Sequence, residues 1–211
     1  MGRTGLFGGT FNPIHSGHIH LAEESFRALE LDRMFLIPSN IPPHKQAENL
    51  CSGEERAEMV RLALKDKNGF EVSDYEIKKD GKSYSYYTVM HFREMYPDDE
   101  LFLIVGSDMF LSFEKWYRFE DILKEVTLAV VSRELNDRKL LEEKSHELEK
   151  FGHTKIVDTK AFPISSTEIR RMIQNGENYS CYLSENVVQY IRLNGLYIKQ
   201  AGDSDCMKLT K

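Results

Sequence analysis

Residues 8–18 read "GGTFNPIHSGH", with three glycines, a proline and two histidines in eleven positions, and a further histidine follows at His20. The stretch closes the first apolar run of the chain, "TGLFGG". It also precedes a change of period, since from Ser16 onward Ile19, Ala22, Phe26 and Leu29 fall on one helical face. It therefore reads as the turn between a buried strand and a helix. Glycines followed by histidines at such a place fit three chemistries: a metal site, a redox-cofactor loop, or a cradle for a phosphate chain.

The remainder of the chain repeats the strand–helix alternation. "RMFLIP" (Arg33–Pro38) is a strand stopped by proline, and "SGEE" (Ser52–Glu55) has the form of a capping box opening a helix with Val60, Ala63 and Leu64 inward. "FEVSDYEI" alternates like a strand, with "KKDGK" as a hairpin-type turn, and Thr88–Tyr96 is a predicted helix. "LFLIVG" (Leu101–Gly106) and "TLAVVS" (Thr127–Ser132) are continuous apolar runs of the kind that helices cover on both faces. Asn136–Lys150 reads as a solvated Glu/Lys helix. "KIV" is a short strand, "SSTE" (Ser165–Glu168) a second capping-box pattern, and "VVQYIRLNGLY" a last helix ended by Gly195. The pattern predicts an α/β fold, a doubly wound, Rossmann-like and mainly parallel sheet with helices on both faces. It is read as one domain over 1–198, with a polar tail over 199–211 whose composition is open to disorder. Ligands of such sheets bind beyond the carboxyl ends of the strands, and "GGT", "PSN", "GSD" and "SR" each follow directly on a strand.

Composition narrows the partners. A net charge of −6 argues against an electrostatic nucleic-acid binder. Cys51, Cys181 and Cys206 are odd in number and form no C-x-x-C, so idle reduced thiols are expected rather than a disulfide framework or a cysteine zinc site. No stretch approaches the ~20 apolar residues of a membrane span. A cytoplasmic location is expected, and the oligomeric state is left open.

The redox reading fails on spacing, because Gly8-Gly9-Thr10-Phe11-Asn12-Pro13 is not G-x-G-x-x-G. The metal reading is weak: His15 and His18 straddle a helix start, with no matching cysteine or carboxylate set, and no protein-held metal is expected. A lone histidine pair is often structural, yet its setting favours the third reading. A helix N-terminus presents unpaired N–H groups and a positive dipole end to an anion. Glycines admit close backbone approach, and imidazoles add donors where charge develops on phosphate oxygens.

"GGTFNPIHSGHIH" resembles the H-x-G-H signature of the nucleotidylyltransferase superfamily, and "ISSTEIR" (Ile164–Arg170) resembles its second, C-terminal signature. With "PSNIPPHK" (Pro38–Lys45), "SYSYYTV" (Ser83–Val89) and "GSDMFLSFEKWYRFEDIL" (Gly106–Leu123), the chain is similar to the bacterial nicotinate-nucleotide adenylyltransferases. Asn12 and Ser85 stand where many of these carry Asp and Thr. The resemblance implies transfer of AMP from ATP to nicotinate mononucleotide, giving the dinucleotide and pyrophosphate in NAD biosynthesis, with magnesium carried mainly on the ATP phosphates.

It also implies roles. His15, His18 and Arg170 would be catalytic, His18 most of all because it lies in the first helical turn. Gly8, Gly9, Thr10, Phe11, Lys45, Arg133, Ser166 and Thr167 would meet ATP. Asn12, Ser85, Asp108, Trp116 and Tyr117 would meet the mononucleotide, with Trp116 stacking on the pyridine ring. His20 is expected to have no role. Two alternatives are an adenylyltransferase of the same fold with another substrate, such as nicotinamide mononucleotide, and a nucleotide-binding regulator without turnover. Intact His15, His18 and Arg170 argue against the second.

Overall fold

The computed structural model describes residues 1–41, 50–79, 81–132, 138–160 and 162–198. Among these, six strands form one sheet in the order β3-β2-β1-β4-β5-β6, and every pair is parallel. The strands are β1 (Arg3–Gly9), β2 (Arg33–Pro38), β3 (Phe70–Val72), β4 (Glu100–Gly106), β5 (Thr127–Ser132) and β6 (Thr154–Asp158). Successive residues of a strand face opposite sides of the sheet, and in β4 both sets are apolar. Phe102 and Ile104 join one core, and Leu101, Leu103 and Val105 join the other.

The first core is covered by α1 (Ser16–Ala28), α2 (Gly53–Leu64), α7 (Ser166–Gln174) and α8 (Glu185–Leu193). The second is covered by α3 (Ser85–Met95), α4 (Ser107–Leu111), α5 (Phe119–Glu125) and α6 (Arg138–Leu148). Strand order reverses direction between β1 and β4. In open α/β sheets ligands bind in the crevice at such a switch point.

The amino ends of the central strands are tied down by polar contacts. Thr4 Oγ1 donates to Asp99 at 2.8 Å, the Gly2 N–H donates to the same carboxylate at 2.7 Å, and Arg3 pairs with Glu100 at 2.5 Å. The carboxyl ends carry the loops "GGT", "PSN" and "GSD".

Three expectations are corrected. The strand read over "FEVSDYEI" ends at Val72: the Ser73 N–H makes the last contact with β2, and Lys78 N–H then donates to the Asp74 carbonyl in a turn. No hairpin follows among the described residues, because Ile77 packs against Gly53 at the start of α2 instead of continuing a strand. The helix expected from Thr88 begins at Ser85. The Glu/Lys helix α6 is not wholly solvated, since Leu141 and Leu148 are fully buried beneath it. The tail over 199–211 lies outside the described residues, as does Cys206; Cys51 and Cys181 are free thiols.

Candidate active site

His15 is the N-cap of α1. Its extended backbone (φ −147°, ψ 171°) turns the ring back over the helix start, where Nδ1 accepts the Gly17 N–H at 3.2 Å. His18 completes the box, its Nδ1 accepting the His15 N–H at 3.3 Å. A neutral imidazole whose Nδ1 accepts must carry its proton on Nε2, so both rings are set as Nε2–H donors. The rings stack with centroids 3.8 Å apart and planes tilted by 33°, and the Phe11 ring meets His18 edge-on at 5.1 Å. The capping device thus fixes tautomer and orientation together.

The glycines divide the labour of the cradle. A Cβ at Gly8 would meet nothing within 4 Å, so the backbone there faces open space. A Cβ at Gly9 would strike the Phe11 ring at 2.8 Å, and one at Gly17 would stand 3.0 Å from the His15 ring. Two of the three glycines are therefore required by neighbouring rings. Phe11 itself sits at φ +48° and is 1% exposed.

The second motif closes over this loop. Ser165 caps α7, accepting the Glu168 N–H at 3.1 Å, which leaves the Ser166 hydroxyl to donate to the Pro13 carbonyl at 2.9 Å. Arg170 donates through Nη1 to the Asn12 carbonyl at 2.7 Å and through Nη2 to Thr167 Oγ1 at 3.3 Å. Residues over 150 positions apart are thus joined in one structure. Asn12 is 3% exposed, and its side-chain oxygen is held by the Cys51 N–H at 3.3 Å and the Tyr197 hydroxyl at 2.8 Å. That oxygen faces inward, toward Tyr197 and Cys51.

Across the switch point, Asp108 is exposed in the first turn of α4 and Trp116 is half-buried, one face resting on Phe113 at 4.9 Å. Tyr117 is 47% exposed and meets Tyr84, Tyr86 and Tyr87 at 5.2–5.9 Å, which brings the start of α3, with Ser85, beside the Trp116–Tyr117 turn. His20 bonds Thr159 at 3.0 Å. Lys45 and Arg133 lie outside the described residues.

Three groups escaped the sequence reading. Arg56 is 1% exposed, and its guanidinium donates to the carbonyls of Cys51, Thr10 and Asn40, holding the loops after β1 and β2 from beneath. Burial lowers its basicity. Glu76 is 8% exposed and accepts from Thr88 Oγ1 at 2.6 Å; burial pushes its carboxyl up. Tyr197 is the third.

A strand-to-helix loop with stacked histidines, clasped by a second helix start, presents N–H donors of the kind that suit an anion. The sequence model of the Cytidylyltransferase-like family matches residues 6–172, and the chain belongs to that family. A probable nicotinate-nucleotide adenylyltransferase of Clostridium tetani is 39% identical over 93% of this chain and all of its own length, and one of Clostridium botulinum is 40% identical over 93% and 98%. Within the family the chain stands with the nicotinate-nucleotide adenylyltransferases. The fold is shared with Plasmodium falciparum nicotinic acid mononucleotide adenylyltransferase, solved in complexes with APC and with NaAD. Its TM-score is 0.75 in both, at 17% and 18% identity over 93% of this chain and 98% of that one.

Proposed function

We propose that this chain transfers AMP from ATP to nicotinate mononucleotide, making nicotinate adenine dinucleotide and pyrophosphate, through the cradle of Gly8–His18 and the clasp of Ser166–Arg170. A phosphate oxygen of the mononucleotide attacks the α-phosphorus, and the bond to the β-phosphate oxygen breaks as pyrophosphate leaves. Such transfers depend on positioning and on charge stabilisation rather than on covalent intermediates. His15 and His18 supply Nε2–H donors to the triphosphate at the α1 N-terminus. Gly8 admits the chain's backbone to it, with Gly9, Thr10 and Phe11 shaping the loop. Arg170 and the N–H groups at Ser166 and Thr167 receive the leaving phosphates. Lys45 and Arg133 join the ATP side on the strength of the motifs that contain them.

Asp108 accepts from ribose hydroxyls, Trp116 stacks on the pyridine ring, and main-chain N–H groups near Ser85 and Tyr117 receive the acid group. Magnesium arrives with ATP. Among the described residues no group of three or more His, Cys, Asp or Glu could hold a metal ion, and Mg²⁺ keeps its waters and leans on substrate phosphates, whose charge it offsets.

The observation that carries this reading is the 2.7 Å bond from Arg170 to the Asn12 carbonyl, which joins the two motifs to each other. Pyrophosphate release is the test. It should require both ATP and nicotinate mononucleotide, and release from ATP alone, or none at all, would reject the assignment.

A further inference from the structure

Tyr197 lies just beyond α8. The helix is closed by Gly195 at φ +59°, and the Leu196 N–H returns to the Ile191 carbonyl at 3.0 Å. Tyr197 then takes φ +66°. That region suits glycine and is an outlier for a bulky side chain, so surrounding contacts must hold it there. They do: the ring is 7% exposed in the core of α1, α2 and α8. The hydroxyl donates to Asn12 Oδ1 at 2.8 Å.

Asn12 is where this contact matters. Its side chain is held from below by Tyr197 and Cys51, and its own carbonyl is the acceptor on which Arg170 is aligned. We propose that Tyr197 is a positioning residue for adenylyl transfer. Its hydroxyl fixes Asn12 and, through the Asn12 carbonyl, the plane of the Arg170 guanidinium. It touches neither substrate. The inference rests on the function proposed above and adds a residue that the two motifs do not contain. A guanidinium fork is directional, so a small rotation of its acceptor re-aims every other N–H it carries. Displacements well under the size of an atom at such a group are costly in rate.

Tyr197→Phe removes one oxygen and keeps the ring. Its kcat and KM for each substrate and its melting temperature are measured beside those of Val188→Ala, a buried core change in α8. Tyr197→Phe should lower kcat/KM for ATP about tenfold, the size expected from one misplaced hydrogen bond, while KM for the mononucleotide stays within about twofold. Val188→Ala should lower the melting temperature and leave kcat near the parent value. In the double variant Tyr197→Phe Arg170→Lys the two losses should not multiply, because both act through one guanidinium. Parental kinetics for Tyr197→Phe, equal rate losses from Val188→Ala, or fully multiplicative losses in the double variant would each overturn the proposal. A parent chain that makes no dinucleotide would instead reject the function itself.

Discussion

A Cβ at position 17 would stand 3.0 Å from the His15 ring, so the glycine between the two histidines makes room for the first of them. The same cap that starts α1 commits both Nδ1 atoms, so each neutral ring carries its proton on Nε2. His18→Ala is expected to lower kcat by about 10²–10³ with a much smaller change in ATP affinity, since such a donor matters most as charge builds on the phosphates. Single-turnover rates beside equilibrium ATP binding check this; near-parental kcat would remove His18 from the chemistry. Arg170 serves two acceptors in fixed directions, Asn12 and Thr167. Arg170→Lys keeps the charge and loses the fork, so ATP use should fall markedly, and full activity with lysine would show that charge alone suffices.

At the scale of elements, α3 is anchored by a buried acid. Glu76 accepts from Thr88 near the helix start, and burial raises its folded-state pKa. The fold therefore prefers the protonated form. The stability this contributes is complete below the unfolded-chain value, about 4.3, and is lost as pH rises through the higher folded value. Glu76→Gln keeps an acceptor for Thr88 and removes the ionisation. The melting temperature of the variant relative to the parent should therefore rise between pH 4 and pH 8, and a pH-independent difference would refute the argument.

The Trp116–Tyr117 turn faces the start of α3, and the mononucleotide is proposed to bind there. N–H groups that suit a carboxylate would face the NH₂ of an amide and go unpaired, at about 1–3 kcal/mol each. A preference for the acid mononucleotide over the amide of at least about tenfold in kcat/KM is expected. Trp116→Ala should weaken both substrates and leave much of the preference, because stacking does not read the acid. Equal efficiency on the two substrates would defeat this, and loss of the preference with Trp116 would defeat the backbone reading of the acid.

For the whole molecule, the sheet was legible because β1, β2, β4 and β5 are apolar on both faces and need no partner information to be recognised. The stretch after Val72 misled because Tyr75 and Ile77 are again two residues apart, but they are out of phase with Phe70 and Val72 and pack on His91 and Gly53 instead. Both motifs were legible as motifs, and the clasp between them was not, since it depends on main-chain carbonyls that carry no residue signal. Arg56 left a trace: it shares a helical face with Val60 and Leu64 four and eight residues on, though its charge suggested solvent. Tyr197 left none, being one aromatic beyond a helix stop.

Asn12 and Tyr197 are 185 positions apart. A ribosome extrudes the amino end first and adds roughly 5–20 residues per second, so the glycine–histidine loop leaves the exit tunnel roughly ten to forty seconds before the hydroxyl that bonds its Asn12. Throughout that interval the nascent chain carries its histidine motif without the final lock.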